Sequence, residues 1–295
     1  MRLARVGKVV VAHAPSDLPS LDRLAANAAA CGVNLERLSA ADVAALEPAL
    51  EAAGGLLSPS TSIFDSHAYV EALLADFEES GGTFVPHSTV VGGRTLAGGG
   101  LEVSVAGSDG GPPTTVRATT AVLAAGLGSN ALLDAVDGLA SLPRQRLAAG
   151  RYFSLAAPSP FSRLVYPLPT PGGLGVHATL DLGGRCRFGP DVAWLESAAG
   201  GPLGPAPPPV PPGLAPAFEA AIRQWWPGLP DGALAPDYSG LRPKLGGPGD
   251  APSDFLVAGR ATHGARGVVA LLGIESPGLT ASLALADVAV AALDE

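Results

Sequence analysis

The ten residues from Gly273 to Ser282, Gly-Ile-Glu-Ser-Pro-Gly-Leu-Thr-Ala-Ser, constrain the fold of this chain more than any other stretch. The apolar run from Val268 to Leu272 precedes them and is typical of a short buried strand. An Ala-, Leu- and Val-rich segment from Ala281 to Leu293 follows and has helical character. A strand that turns sharply into a helix presents unpaired N–H groups and a partial positive charge. The pattern therefore predicts either a seat for an anionic or electron-rich ligand, or an ordinary strand-turn-helix without one.

Composition excludes several classes of function. The 295 residues suffice for one large domain or two smaller ones. A net charge of −9 without a basic stripe argues against nucleic acid as a partner. Cys31 and Cys186 form neither a disulfide framework nor a metal-ligand pattern, so we expect no metal site. We also expect no transmembrane segment, because the apolar C-terminal helix contains Asp287. We expect no targeting segment ahead of the strand at residues 8–12.

Residue patterns along the chain predict a mixed fold of the α+β class. Four strand-like stretches separated by turns predict one mainly antiparallel sheet, at residues 151–155, 163–166, 173–180 and 185–189. Helices are expected from about Ser16 or Ser20 to Cys31, from Ala40 to Leu46, and from His67 to Ser80 after an Asp65 cap. A Gly-, Pro- and Ala-rich stretch at 198–215 predicts a surface insert.

A glycine motif, Gly-Leu-Gly-Ser-Asn-Ala at 126–131, follows an apolar strand and precedes a helix. Alone, this spacing is typical of a dinucleotide-binding fingerprint. The acidic residue expected about 20 positions later is missing, and Arg144 and Arg146 lie nearby instead. The motif therefore favours a secondary contact to a nucleotide cofactor over the main pyrophosphate site.

Several motifs occur in an order that is similar to one enzyme family. They are Ser58–His67, Ala124–Leu127, Gly150–Phe153, Tyr166–Pro167, Gly175–His177, Gly189–Asp191, Gly240–Lys244 and Gly273–Thr280. Together they resemble the FAD-dependent oxidoreductases of the D-amino-acid oxidase superfamily. Within it, the resemblance is greatest to the L-2-hydroxyglutarate dehydrogenase/oxidase group, and it extends from Lys8 to the end of the chain.

The resemblance implies a substrate domain with a mainly antiparallel sheet and an α/β FAD-binding part that is N-terminally incomplete. Residues 1–60 are expected in the substrate domain, 61–140 in the FAD domain, 141–245 in the substrate sheet with its insert at 198–215, and 246–295 in the FAD domain again. Family members carry a strand-GxGxxG-helix unit ahead of the strand that begins here at Lys8. An inactive fragment without FAD therefore stays an alternative.

The implied cofactor is FAD. Gly273, Pro277, Gly278, Leu279 and Thr280 would form its seat, with the last three against the pyrimidine edge of the flavin. Reduced flavin carries negative charge near N1 and O2, which a helix N-terminus stabilises by roughly 0.3–2 kcal/mol. The adenosine side would contact a second set of residues, namely Val90, Val91, Ala124, Ala125 and Gly126.

The implied reaction is oxidation of a 2-hydroxy acid, foremost L-2-hydroxyglutarate to 2-oxoglutarate, by hydride transfer to flavin N5. An amine or amino-acid oxidase of the same superfamily is the alternative. The sequence leaves a quinone, a flavoprotein or oxygen open as electron acceptor. The resemblance implies a mitochondrial or cytoplasmic enzyme, and the compartment stays undetermined.

Four residues are candidates for substrate chemistry. Arg242 matches a carboxylate with its guanidinium fork, or else bonds loop carbonyls. His177 would take the hydroxyl proton, or else is a satisfied histidine of the sheet. Lys244 is a second acid/base, a partner for a distal carboxylate, or a solvated loop lysine. His263 lies in the loop before Gly273, which would cover the substrate.

Overall fold

The computed structural model describes residues 1–168, 175–196, 204–251 and 253–294. Parts of the predicted strand at 173–180 and of the predicted insert at 198–215 lie outside these ranges. The chain forms two compact units. Unit 1 comprises Met1–Phe84, Gly150–Val192 and Pro209–Ser239, and unit 2 comprises Val85–Ala149, Ala193–Pro208 and Gly240–Glu295. The first change of unit falls after Phe84 rather than after residue 60, and the roles predicted for the segments stay predictions.

Both units contain helices and strands. The helices are α1 (Leu18–Ala30), α2 (Ala40–Leu46), α3 (Ser66–Glu79), α4 (Ser129–Ala135), α5 (Ala215–Arg223), α6 (Arg260–His263) and α7 (Ser282–Leu293). The strands are β1 (Leu3–Arg5), β2 (Lys8–Ala12), β3 (Glu36–Ser39), β4 (Gly54–Ser58), β5 (Ser62–Phe64), β6 (Ser88–Thr95), β7 (Leu101–Gly107), β8 (Thr114–Ala118), β9 (Ala121–Leu123), β10 (Val136–Asp137), β11 (Arg146–Leu155), β12 (Leu164–Pro167), β13 (His177–Leu180), β14 (Cys186–Gly189), β15 (Ala193–Trp194), β16 (Leu234–Lys244), β17 (Leu256–Ala258) and β18 (Val268–Leu272).

Unit 1 is built on a large sheet whose strand order is β11-β14-β13-β12-β2-β4-β3. Its neighbouring strands pair antiparallel, apart from the parallel pair β12 and β2. The expected mainly antiparallel sheet is therefore present, and the mixed content of helix and strand confirms the α+β class.

Alternation along β2 divides its side chains between two cores. Val9 and Val11 point into the main cluster, where Phe218, Ile222 and Trp225 also pack. Because successive residues of a strand face opposite sides, Val10 and Ala12 pack on the other face, under Leu21 of α1. Each fully buried aliphatic or aromatic side chain contributes roughly 1.5–3 kcal/mol of burial free energy. Val210, from the predicted surface insert, is also buried in the main cluster.

Local signals set the helix starts of unit 1. Asp65 accepts hydrogen bonds from the backbone N–H groups of His67 and Ala68, and so caps α3 as expected. Ser39 and Asp42 form a reciprocal capping box at α2. The segment at 83–86, which has β-type residues, forms no strand.

Unit 2 contains two sheets. The first has the order β10-β6-β7-β8, and the second has β17-β18-β9. β18 is the central strand of the second sheet and is buried at four of its five residues, which explains its continuous apolar sequence. It pairs parallel with β9 and antiparallel with β17. The strand leads directly into the turn that precedes α7.

Candidate functional site

The turn between β18 and α7 has the free donors that the sequence predicts. Pro277 lies in this turn rather than at the first helical position, since α7 begins at Ser282. The N–H of Gly278 donates to the carbonyl of Glu275, whereas the described residues offer no backbone acceptor to the N–H groups of Leu279 and Thr280. α7 also has no side-chain N-cap. This end of the helix therefore keeps donors and positive potential for a ligand.

Two glycines make the shape of this turn possible. Gly273 has a φ of 68°, a left-handed conformation that glycine adopts without strain. A Cβ at Gly278 would lie 2.5 Å from the Ile274 side chain and 2.7 Å from the Glu275 carbonyl oxygen. Gly278 is therefore required by packing within the protein, in addition to any contact with a ligand.

Gln145 joins the two predicted cofactor loops. Its amide nitrogen donates to the carbonyl of Gly126 at 2.8 Å, and its amide oxygen accepts from the N–H of Gly273 at 2.6 Å. The side chain of Asn130 in turn bonds the Gln145 backbone N–H at 2.8 Å and carbonyl at 2.9 Å. Gln145 is 3% exposed, and its bond to the buried Gly273 is shielded from water. It thereby fixes the spacing between the motif at 126–131 and the turn at 273–282.

A cavity of about 440 Å³ lies beside these two loops. It brings together three predicted cofactor residues, Ala124, Gly126 and Gly278. Its remaining lining comes mostly from β9, β18 and the apolar side of α7. A largely apolar cavity with a few placed polar groups is typical of a cofactor site.

A second cavity of unit 2, also about 440 Å³, is lined in part by three more predicted residues, whereas the lining of neither cavity includes Gly273, Pro277, Leu279 or Thr280. Val90, Val91 and Ala125 contribute to it, together with Gly128 and one side of α4. The predicted adenosine-side residues are therefore divided, with Ala124 and Gly126 in the first cavity and Ala125 in the second.

Arg242 and Lys244 lie at the end of β16 and share one carboxylate, that of Glu275. The guanidinium Nη1 of Arg242 lies 3.5 Å from Glu275 Oε2, and the Lys244 ammonium donates to Oε1. All three side chains are partly exposed. Glu275 was not a predicted site residue, although its acidic side chain within the predicted cofactor turn was a signal for one.

His263 ends the short helix α6, and its ring is engaged by backbone on both sides. Nε2 lies 3.1 Å from the Ala258 carbonyl, and Nδ1 accepts from the Ala265 N–H at 3.2 Å. These contacts brace the loop between β17 and β18. The predicted catalytic role of His263 stays a prediction, and the described geometry supports a bracing role instead.

His177 belongs to unit 1, where it begins β13. Its ring stacks on Tyr166 with a centroid distance of 3.7 Å and an angle of 8°. The Lys8 ammonium lies 5.0 Å from the centre of the Tyr166 ring. All three residues are half-buried on the face opposite the main core.

A second aromatic pair occupies the same sheet of unit 1. Tyr152 stacks on Tyr238 at 4.6 Å, beside an ion pair between Arg187 and Asp237. Neither tyrosine was a predicted site residue. No periodicity along the sequence could have identified them, because they approach only through strand pairing.

Arg151 and Asp191 form a charged pair that shapes the strand ends of this sheet. Arg151 donates to Asp191 Oδ2 through Nε at 2.7 Å and through Nη2, and its N–H donates to Oδ1 at 2.9 Å. Asp191 is 4% exposed. Together the side-chain and backbone donors of Arg151 occupy both oxygens of Asp191, so the pair fixes the geometry of this part of the sheet.

Among the described residues, other chemical sites are few. Cys31 is exposed and Cys186 is buried, and neither is in a disulfide. Burial raises the pKa of the Cys186 thiol to about 12. Within the described ranges, no cluster of acidic, histidine or cysteine side chains is suited to a metal ion, and no helix is long and apolar enough to cross a membrane.

The sequence was compared with known protein families. The family described as DAO, FAD dependent oxidoreductase, matches residues 1–292. The chain belongs to this family. The resemblance inferred from the motifs is thereby confirmed, and so are the oxidoreductase class and FAD as the cofactor of the family.

Curated relatives carry one enzyme name. The mitochondrial L-2-hydroxyglutarate dehydrogenase of Arabidopsis thaliana is 37% identical over 315 aligned positions, which cover 96% of this chain and 65% of the relative. L-2-hydroxyglutarate dehydrogenase of Escherichia coli K12 is 27% identical over 199 positions, which cover 65% of this chain and 45% of the relative. The chain therefore spans slightly less than two thirds of the Arabidopsis enzyme.

Solved structures share the fold. Dithionite-reduced L-alpha-glycerophosphate oxidase from Mycoplasma pneumoniae with FAD bound has a TM-score of 0.79 at 19% identity, over 99% of this chain and 73% of that one. Glycine oxidase from Geobacillus kaustophilus has a TM-score of 0.72 at 17% identity, over 99% and 72% of the two chains. At these identities the likeness shows the architecture alone.

Proposed function

We propose that the chain oxidises L-2-hydroxyglutarate to 2-oxoglutarate with FAD. The observation that carries this proposal is the 37% identity to the Arabidopsis dehydrogenase across 96% of the chain. The amine and amino-acid oxidases among the solved structures are less than 25% identical to this chain, so they supply no competing substrate.

The residues of unit 2 fit a flavin. Gly278, Leu279 and Thr280 supply a glycine turn and two backbone donors at the start of α7, where negative charge is stabilised. Ala124 and Gly126 line the same cavity as Gly278. Val90, Val91 and Ala125 line the second cavity of unit 2, and two such cavities suit an extended cofactor. Gly273 and Pro277 shape the turn. When bound, FAD supplies the acceptor for the hydride that leaves the hydroxyl-bearing carbon.

Arg242 is proposed to bind the substrate carboxylate next to that carbon. Its guanidinium has spare donors, because the contact to Glu275 uses Nη1 at 3.5 Å, the long end of hydrogen-bonding range. Glu275 holds Arg242 and Lys244 in place and reduces their combined charge. Lys244 is then a support for Arg242, rather than a free group for a second carboxylate.

His177 is proposed to take the hydroxyl proton. An imidazole is suited to this step near neutral pH, since its ordinary pKa is about 6.5. Its stacking on Tyr166 fixes the plane of the ring, which sets the direction of proton transfer. Unit 2 is proposed as the flavin part, and unit 1 as the part that supplies the proton acceptor.

The electron acceptor is proposed to be a quinone or a flavoprotein. The curated relatives are named dehydrogenases, which favours such an acceptor over oxygen. The Arabidopsis relative is named a mitochondrial enzyme, and we propose the same compartment here.

The test of the proposed function combines cofactor binding with turnover. FAD should raise the melting temperature of the purified chain, and L-2-hydroxyglutarate should reduce an artificial dye, with little oxygen consumed. Gly278→Ala should weaken FAD binding, because its Cβ has no room. Gly213→Ala is the matched control, since a Cβ there meets nothing within 4 Å. No FAD-dependent stabilisation, or turnover of glycine or proline in place of the hydroxy acid, would contradict the proposal.

A further inference from the structure

Lys8, Tyr166 and His177 lie on one face of three neighbouring strands, β2, β12 and β13. Tyr166 pairs with Val10, so these two side chains share a face of the sheet. Lys8 precedes Val10 by two residues and therefore lies on the same face as Tyr166. Val165 pairs with Ala178, which places Tyr166 beside His177. The ring and ammonium distances agree with this register. An ammonium and an imidazole therefore flank a single tyrosine ring on a half-buried surface.

No acid among the described residues balances the charge of Lys8. The chain contains two lysines, Lys8 and Lys244. Lys244 is paired with Glu275, whereas Lys8 makes no ion pair within the described ranges. Burial lowers the pKa of the Lys8 ammonium, because partial removal from water penalises the charged form. A partly desolvated ammonium that lacks a carboxylate partner is suited to pair with an anionic group.

We propose that Lys8 binds the second carboxylate of a dicarboxylic 2-hydroxy acid whose hydroxyl group lies at His177. The inference rests on the proposed function and assigns its specificity for a diacid to this lysine. The Lys8 ammonium lies 5.0 Å and the His177 ring centre lies 3.7 Å from the centre of the Tyr166 ring. This spacing of ammonium and imidazole suits a ligand with a few carbons between its polar ends. A distal carboxylate was one of three alternatives predicted for Lys244, but the Lys244 ammonium donates to Glu275.

A purely structural role makes a different prediction. A lysine over a tyrosine ring contributes a cation–π interaction, and its loss would lower stability and affect all substrates alike. A specificity-determining lysine affects substrates with a second carboxylate and leaves monocarboxylic ones nearly unchanged. The two roles are therefore separated by a ratio of kinetic constants rather than by activity alone.

The kinetic experiment compares Lys8→Met and Lys8→Arg in the FAD-loaded chain. We expect Lys8→Met to raise KM for L-2-hydroxyglutarate by about tenfold to a hundredfold, with a smaller change in kcat. KM for L-2-hydroxypentanoate, which has the same carbon number and one carboxylate, should change less than about threefold. Lys8→Arg should restore most of the diacid preference, since it restores the charge. Equal losses for both substrates would overturn the proposal.

A binding experiment decides the question without turnover. Reductive ¹³C-methylation keeps the charge of both lysines and gives each a separate NMR signal. Glutarate, which has two carboxylates and no hydroxyl group to oxidise, should shift the Lys8 signal, and butyrate should not. A shift confined to Lys244, or none, would overturn the role of Lys8. A glutarate shift at Lys8 in a chain that oxidises nothing would contradict the proposed function and leave the anion site standing.

Discussion

Replacement of Gln145 by leucine should loosen the flavin-binding part of unit 2. The variant keeps a side chain of similar volume but removes the acceptor for the Gly273 N–H and the donor to the Gly126 carbonyl. Gly273 is buried, so its N–H is left without a partner, which costs roughly 1–3 kcal/mol. Gly126 is exposed and can bond water, so the second loss is smaller, roughly 0.5–1.5 kcal/mol. We expect a total of about 2–4 kcal/mol.

Hydrogen exchange measures this loss at the site itself. If the turn at 273–282 opens more easily by about 2 kcal/mol or more, its peptide should exchange about 30-fold faster or more, since 1.4 kcal/mol corresponds to a factor of ten. FAD affinity should fall as well, because the two loops no longer hold a fixed spacing. Gln224→Leu is the control, since Gln224 is exposed and should change exchange at this turn by less than about twofold.

Gln145→Glu adds a pH test with a defined sign. The carboxylate would face the Gly126 carbonyl without a proton to donate, so its folded-state pKa should lie above the unfolded value of about 4.3. The folded form then binds more protons, and the stability of the variant relative to the parent should rise as pH falls from 7 towards 5. Unchanged exchange in the leucine variant, together with pH-independent stability of the glutamate variant, would refute the bridging role.

Three further outcomes are expected. Arg242→Ala should weaken transition-state stabilisation for a 2-hydroxy acid by on the order of 2–4 kcal/mol, as calculated from the ratio of kcat/KM values, while FAD binding is retained. An unchanged kcat/KM would exclude its carboxylate role. Phe218→Ala should lower the free energy of unfolding of unit 1 by about 3–5 kcal/mol, because Phe218 is 1% exposed. Denaturant titration measures this loss, and a loss under about 1 kcal/mol would contradict the packing. A thiol reagent should label exposed Cys31 readily and buried Cys186 only after unfolding, because the Cys186 thiol is shielded and its pKa is raised to about 12. Equal labelling rates of the two cysteines in the folded protein would contradict this burial.

Features set by local chemistry could be predicted from the sequence. The Asp65 cap, the capping box of Ser39, and the strand-turn-helix around Gly278 depend on residues within a few positions of each other. By contrast, the run Val9–Ala12 is apolar throughout, so its sequence does not show which face Val9 and Val11 share. Element existence and type therefore followed from the sequence in these regions.

Features that depend on pairing between distant segments could not be predicted. Gln145 and Gly273 are 128 positions apart and meet through a single hydrogen bond. Lys8 and His177 share a face only because β12 lies between their strands, and no local pattern specifies that order. His263 was a candidate because it lies in the loop before Gly273, and its backbone contacts became visible only with the loop geometry.

Anaerobic reduction of the bound flavin tests the central claim most directly. The purified chain, loaded with FAD and mixed with L-2-hydroxyglutarate without oxygen or dye, should lose its visible flavin absorption and yield 2-oxoglutarate in equal amount. The D-enantiomer should leave the absorption unchanged, since the carbon-bound hydrogen then points away from the acceptor. A chain that binds FAD but stays yellow with the L-enantiomer, or that binds no FAD, would contradict the account.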